Sequence, residues 1–197
     1  MTDSEQSTLG PDELIPTPCQ ITVCQGMGLV WTVEEMQALR TRHRIVGTLM
    51  GSVPDQAMQN TTHALPLSLC AEEVTLLLEI GAATLTPESG TTPWIYPQTA
   101  TEKRRYTLFK DLWHRGYYLT SGLKFGGEFL VYLDDPDWSH SRFITSILAS
   151  PIQGIPSAQL VALSRLGTGV TKSRLFCAFD EARETYRYHT VNWTPLD

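Results

Sequence analysis

The chain has 197 residues, of which 42% are hydrophobic and 18% charged, a balance that excludes a disordered chain, a collagen-like repeat and a coiled coil. Its net charge of −6 argues against a generic basic nucleic-acid binder. The average conceals an asymmetry: residues 1–100 hold three arginines, no lysine and eleven acidic side chains, whereas residues 101–197 hold twelve basic against ten acidic. Contact with a polyanion therefore falls to the second half. The four cysteines (19, 24, 70 and 177) lack the C-x-x-C spacing of a zinc site. The acidic, polar start Met1-Thr2-Asp3-Ser4-Glu5 has no signal-peptide character, and no apolar run approaches the ~18–20 residues of a membrane span. A reduced, intracellular protein is expected.

Residues 1–19, with Pro11, Pro16 and Pro18, read as a mobile tail. A small α+β module is expected over 20–85. Ile21–Val23 and Leu29–Trp31 read as hairpin strands around a Gly26–Gly28 turn. Thr32 and Glu35 form a capping box for a helix ending near His43. Ile45–Met50 reads as a strand, and Leu65–Leu69 as another that Pro66 confines to a sheet edge. Glu72–Ile80 is helical, with Val74, Leu77 and Leu78 on one face and Gly81 as its stop. Ala82–Leu85 is a short strand. Residues 86–100, rich in Pro, Thr and Ser, read as a linker.

Residues 101–197 form the second module. Thr101–Arg115 is helical, with Tyr106, Phe109, Leu112 and Trp113 on one apolar face. Tyr117–Thr120, Glu128–Leu133 and Arg142–Ala149 read as strands, Ser157 to about Leu166 as a helix, and Arg174–Phe179 and Thr185–Trp193 as closing strands. The fold class is α+β: a small N-terminal module plus a C-terminal mixed sheet flanked by helices.

Three residues of the second module can together cleave RNA without a metal. Tyr132 closes a strand, His140 follows across a Pro136-containing loop, and Lys172 ends the stretch Gly167–Lys172. In such chemistry the 2′-hydroxyl attacks its own adjacent phosphate while a base takes its proton. An acid protonates the departing 5′-oxygen and a cation steadies the charge on phosphorus. Histidine has the pKa for neutral proton transfer and lysine is a compact phosphate partner. Tyrosine, at an ordinary pKa of ~10, needs nearby cations to serve as base. By spacing alone each has a plainer role: strand-end packing for the tyrosine, solvation for the histidine and lysine.

The run GLKFGGEFLVYLDDPDWSH resembles the signature of the tRNA-splicing endonuclease family, whose core reads kFGgdflvYpgdP…H before a late g…K strand. LVWTVEEMQALR, LPLSLCAEEVTLLLEIGAATL, RRYTLFKDLWHRGYYLTSGLKFGG and SRLGTGVTK through VNWT extend the likeness to nearly all of Ile21–Thr194. They resemble the smaller catalytic subunit of that family, which cuts the 3′ splice site. The resemblance implies that 101–197 is a catalytic nuclease domain and that Tyr132, His140 and Lys172 are its triad. It implies that Arg165 and Trp193 sandwich a base near the cut by cation–π and stacking contacts. It also implies that no metal or cofactor is needed. The substrate would be intron-containing pre-tRNA and the compartment the nucleus. The assembly would be a heterotetramer of two catalytic and two structural subunits, with the small structural subunit as direct partner through C-terminal strands. Where the family has Pro-Gly after the tyrosine, this chain has Leu133-Asp134. Asp134 beside Asp135 makes the loop more acidic, which favours a protonated His140 and suits an acid. Two alternatives stand beside this reading: a non-catalytic structural subunit of the same complex, or a metal-dependent DNA nuclease built on Asp134, Asp135 and Asp137. For that cluster, Asp-Asp-Pro-Asp also reads as a turn.

Overall fold

The computed structural model describes residues 17–52, 63–86, 94–150, 152–169 and 171–192. Within them the chain builds two five-stranded mixed sheets. Strands β1 (Cys19–Cys24) and β2 (Met27–Val30) pair as an antiparallel hairpin. Its two-residue turn, Gln25 and Gly26, has positive φ at both positions (50° and 78°), the mirror-image turn that matches strand twist. Helix α1 (Val33–His43) starts at Thr32, whose side chain accepts from the Glu35 N–H at 3.3 Å. The other arm of the expected capping box goes elsewhere. The Glu35 carboxylate accepts from the Gln20 backbone N–H at 2.7 Å and the Thr32 hydroxyl at 2.6 Å, tying the helix start to β1.

The strand expected from Ile45 starts later, as β3 (Thr48–Ser52). Ile45 is instead buried in the core, and Gly47, at φ +60°, donates its N–H to the Glu73 carboxylate at 3.0 Å. Strand β4 (His63–Leu69) corrects the expectation for Pro66, because β4 lies between β3 and β2 rather than at an edge. The proline is accommodated by a bulge. Leu49 pairs with Leu67 and Gly51 with Ala64, so two residues of β4 oppose one of β3, and β2 pairing stops at Leu67. The missing N–H therefore falls where the ladder asks for none. Helix α2 (Ala71–Glu79) ends as expected at Gly81. Gly81 N–H donates to Leu78 C=O and Ala82 N–H to Leu77 C=O, the paired bonds of a Schellman stop. Strand β5 (Ala83–Leu85) then runs parallel to β1, completing the order β3-β4-β2-β1-β5.

The described part of the expected linker is packed on α2. Trp94 Nε1–H donates to Thr75 Oγ1 at 2.8 Å and the Tyr96 hydroxyl donates to Glu72 at 2.7 Å. Helix α3 (Ala100–His114) opens with a complete capping box between Thr99 and Glu102. The second sheet follows: β6 (Tyr118–Ser121), a 3-10 turn at Leu123–Phe125, β7 (Phe129–Tyr132), β8 (Phe143–Leu148), helix α4 (Ser157–Gly169), β9 (Ser173–Asp180) and β10 (Thr185–Val191). Their order is β10-β9-β8-β7-β6, antiparallel except for the β8–β9 pair that α4 bridges.

The apolar face of α3 buries Leu108, Phe109 and Leu112 against this sheet, with the Phe109 and Phe129 rings 5.5 Å apart. Each such side chain contributes about 1.5–3 kcal/mol. The two sheets share one hydrophobic cluster, from Ile21, Leu67 and Leu77 to Phe109, Phe129 and Leu175. Arg105 of α3 strengthens the seam. Its Nε–H donates to Glu72 at 2.5 Å, it pairs also with Glu128, and it stacks on Phe129 at 4.4 Å. Trp113 Nε1–H donates to His43 C=O at 2.6 Å.

Candidate functional site

The second sheet brings three strand ends together. Val131 of β7 pairs with Phe143 of β8, and Phe143 with Ser173 of β9. Tyr132 is therefore the last residue of β7, His140 stands three residues before β8, and Lys172 immediately precedes β9. The register also fixes a face. Leu130, Ile144 and Arg174 lie side by side. With a period of two along each strand, Tyr132 and Lys172 fall on the face they share. Tyr132 is half-buried and its hydroxyl accepts a long 3.4 Å bond from Thr120 Oγ1. Lys172 is also half-buried, its Nζ 5.6 Å from the centre of the Phe125 ring. His140 is exposed. A cavity of about 590 Å³ lies at the other end of the sheet, between Ser121, Glu128 and Leu148 and the α4 residues Gln159 and Leu163.

Arg174 gives this face a buried charge. Its side chain is 0% exposed and donates to Phe125 C=O at 3.2 Å, Gly126 C=O at 3.1 Å and Ser146 Oγ at 3.3 Å, with Nε unpartnered among the described residues. Burial lowers its pKa. Its partners are carbonyls at the end of the 3-10 turn, where the partial negative charge of a helix end collects, so the guanidinium pins the Gly126–Gly127 stretch to the sheet. Sequence reasoning passed over this residue. The signal was an arginine directly before the apolar run Leu175–Phe179, within the same strand.

The aspartate loop is a turn. Asp135 Oδ1 accepts the Asp137 N–H at 2.9 Å, and Asp135 C=O accepts the Trp138 and Ser139 N–H groups at 3.0 Å each. Arg40 of α1 reaches across to it, with Nε–H donating to Asp135 Oδ2 at 2.8 Å and Nη2 pairing with Asp135 Oδ1 at 2.5 Å and Asp137 Oδ1 at 2.8 Å. The hydrogen bond from Arg40 holds the Asp135 carboxyl below the usual range, against the opposing effect of burial. Two of the three carboxylates are thus turned to a guanidinium, and Glu128 is taken by Arg105. No group of three or more His, Cys, Asp or Glu able to hold a metal occurs among the described residues. Arg165 is exposed on α4, and Trp193 lies outside the described residues. The four cysteines are free thiols.

Residues 19–88 match the family model described as TSEN34-like, N-terminal domain, and residues 103–188 the model described as tRNA intron endonuclease, catalytic C-terminal domain. This chain belongs to the tRNA-splicing endonuclease family. Its second sheet, with the β7, β8 and β9 ends, falls in the segment that carries the family's catalytic model. The chain is similar to human "tRNA-splicing endonuclease subunit Sen34", 42% identical over 103 residues, covering 52% of this chain and 33% of that protein. It is similar to "Probable tRNA-splicing endonuclease subunit sen34" of Schizosaccharomyces pombe, 24% identical over 251 residues, covering 83% of this chain and 87% of that protein. It is similar also to "tRNA-splicing endonuclease" of Methanopyrus kandleri, 32% identical over 88 residues, covering 45% of this chain and 48% of that protein. The matches span about a third of the human and mouse relatives. No helix among the described residues is long and apolar enough to cross a membrane.

Proposed function

We infer that this chain is the catalytic subunit of a tRNA-splicing endonuclease that cuts intron-containing pre-tRNA at the 3′ splice site. The observation that carries the reading is strand register: Tyr132, His140 and Lys172 leave or enter three adjacent strands at one sheet end. Tyr132 takes the proton of the 2′-hydroxyl, whose oxygen bonds to the neighbouring phosphorus. The bond from phosphorus to the 5′-oxygen breaks, and His140 gives that oxygen its proton. Lys172 faces the charge that builds on the phosphoryl oxygens. The products are a 2′,3′-cyclic phosphate and a 5′-hydroxyl. Arg165 and Trp193 hold a base beside the cut by cation–π contact and stacking.

The acidic surface of one such chain offers little hold on a whole tRNA, so the reading includes a heterotetramer. The small structural subunit is the direct partner, and the second catalytic and large structural subunits complete it. The compartment is the nucleus. Because acid, base and counter-charge are side chains of this chain, the reading includes no metal or cofactor, and the engagement of Asp135 and Asp137 by Arg40 supports that.

The test is cleavage of pre-tRNA by the assembled complex carrying His140→Ala. Loss of the general acid slows the 3′ cut by ~10²–10⁴-fold while the 5′ cut proceeds, so intron joined to 3′ exon accumulates and wild-type cutting survives EDTA. Cutting that stops in chelator and returns with Mg²⁺, or loss of both cuts together, would overturn the assignment.

A further inference from the structure

We propose that Arg40, on the first helix of the N-terminal sheet, is a positioning residue for His140. The inference rests on the triad reading and extends it to the other half of the molecule.

The path is short and continuous. Arg40 holds Asp135 through two parallel bonds and Asp137 through a third. Asp135 in turn organises nearly the whole loop. Its carboxylate accepts the Asp137 N–H, and its carbonyl accepts the N–H groups of Trp138 and Ser139. The Ser139 hydroxyl lies within hydrogen-bond reach of the Asp134 and Asp135 carbonyls, at 2.9 and 3.1 Å. His140 is the next residue, exposed, between this turn and the start of β8. β7 fixes one end of the loop and β8 the other. Between them, Arg40 is the residue from outside the loop that these bonds connect to the turn. Its side chain is 26% exposed and that of Asp135 19%, so the pair is partly shielded from water. A bidentate guanidinium–carboxylate contact sets orientation as well as distance. An exposed catalytic histidine needs such a support, since its own surface is not packed.

A tether that merely stabilises the fold would make the same bonds, and the two differ in what they do to a complex that already lacks the histidine. The experiment is single-turnover cleavage by the assembled complex at saturating pre-tRNA, with both cuts scored on the same samples. Arg40→Ala is expected to slow the 3′ cut by about 10²-fold, the scale of a ~1 Å misplacement, leaving KM and the 5′ cut as they were. Asp135→Asn should produce a similar loss. Arg40→Lys keeps the charge but loses the fork, and should recover part of the rate. In a His140→Ala background, Arg40→Ala should cause no further loss, because the residue that it positions is gone. If Arg40→Ala multiplies the His140→Ala defect, or leaves the 3′ cut at the wild-type rate, the inference is overturned. If His140→Ala itself leaves the 3′ cut unchanged, the triad reading fails, whatever Arg40 does.

Discussion

Asp135 carries a pH dependence that can be worked out from its setting. The hydrogen bond from Arg40 depresses its pKa below the ordinary carboxylate value. The stabilisation is therefore present above the unfolded-state pKa of ~3.9, and it is lost as pH falls through the lower folded value. Asp135→Asn should remove about 1 kcal/mol at neutral pH and flatten the acid limb of stability. Thermal melts of wild type and variant between neutral pH and pH 3 check this: curves that stay parallel throughout would refute it. The same residue shows what sequence reading reached. The Asp-Asp-Pro-Asp turn was legible, because aspartates that accept nearby N–H groups are a local matter. The guanidinium opposite it was not, since Arg40 lies 95 positions away and nothing local marks a partner at that range. Tyr132, His140 and Lys172 were singled out through a motif. That they border neighbouring strand ends at one end of the sheet comes from pairing registers that no sequence period encodes.

At the scale of elements, punctuation was legible and register was not. Gly81 and Gly116 end helices because they sit at φ +70° and +91°, where other residues are strained. Pro66 misled because a bulge, set by pairing with β3, excuses its missing N–H. Thr99 illustrates a cap hidden by a vague helix start. Its side chain accepts from the Glu102 N–H while Glu102 accepts from Thr99 N–H. Thr99→Ala should cost about 1 kcal/mol, read as a lower denaturant midpoint at unchanged m-value. The Gly126–Gly127 stretch makes a sharper forecast. A Cβ on Gly81 meets nothing within 4 Å, whereas one on Gly127 would lie 2.4 Å from Ile144 Cγ2 and 2.5 Å from Thr145 C=O. Gly81→Ala should cost roughly 1 kcal/mol. Gly127→Ala should cost more, about 1–3 kcal/mol or beyond, because a backbone oxygen cannot swing aside. Comparable losses in urea titrations of the two variants would contradict the packing described for β7 and β8.

Across the whole molecule, the two sheets share one core and are expected to unfold together. A single hydrophobic cluster crosses the seam, and Glu72 of α2 pairs across it with Arg105 of α3. Burial acts to raise the Glu72 pKa, but Arg105 and the Tyr96 hydroxyl together hold it below the usual range. Removing one member of a fully buried pair costs about 3–5 kcal/mol. With the Arg105 side chain 29% exposed, Glu72→Ala should cost less, on the order of 2 kcal/mol. The loss should appear as one shifted transition with tryptophan fluorescence and far-UV circular dichroism coincident. Two separated transitions would show that the sheets unfold independently. Reading a linker between two modules caught the change in composition. It missed the docking of Trp94 and Tyr96, whose partners Thr75 and Glu72 lie on the preceding helix.

The parallel β8–β9 pair sets a length rule. Six residues of β8 carry the chain about 20 Å along the sheet, and thirteen residues of α4 carry it back about 20 Å. Outward and return strokes match, so the chain re-enters the sheet at the end where β8 began, with Lys172 arriving beside the end of the His140 loop. The helix acts as a measuring rod. Its span is a requirement of the chemistry proposed for that end of the sheet, whereas its exposed residues other than Arg165 carry no part of that chemistry. Removing one turn would shorten the return by about 5 Å and draw the lysine away from the strand ends, while substitutions that keep the rod's length leave the meeting point where it is.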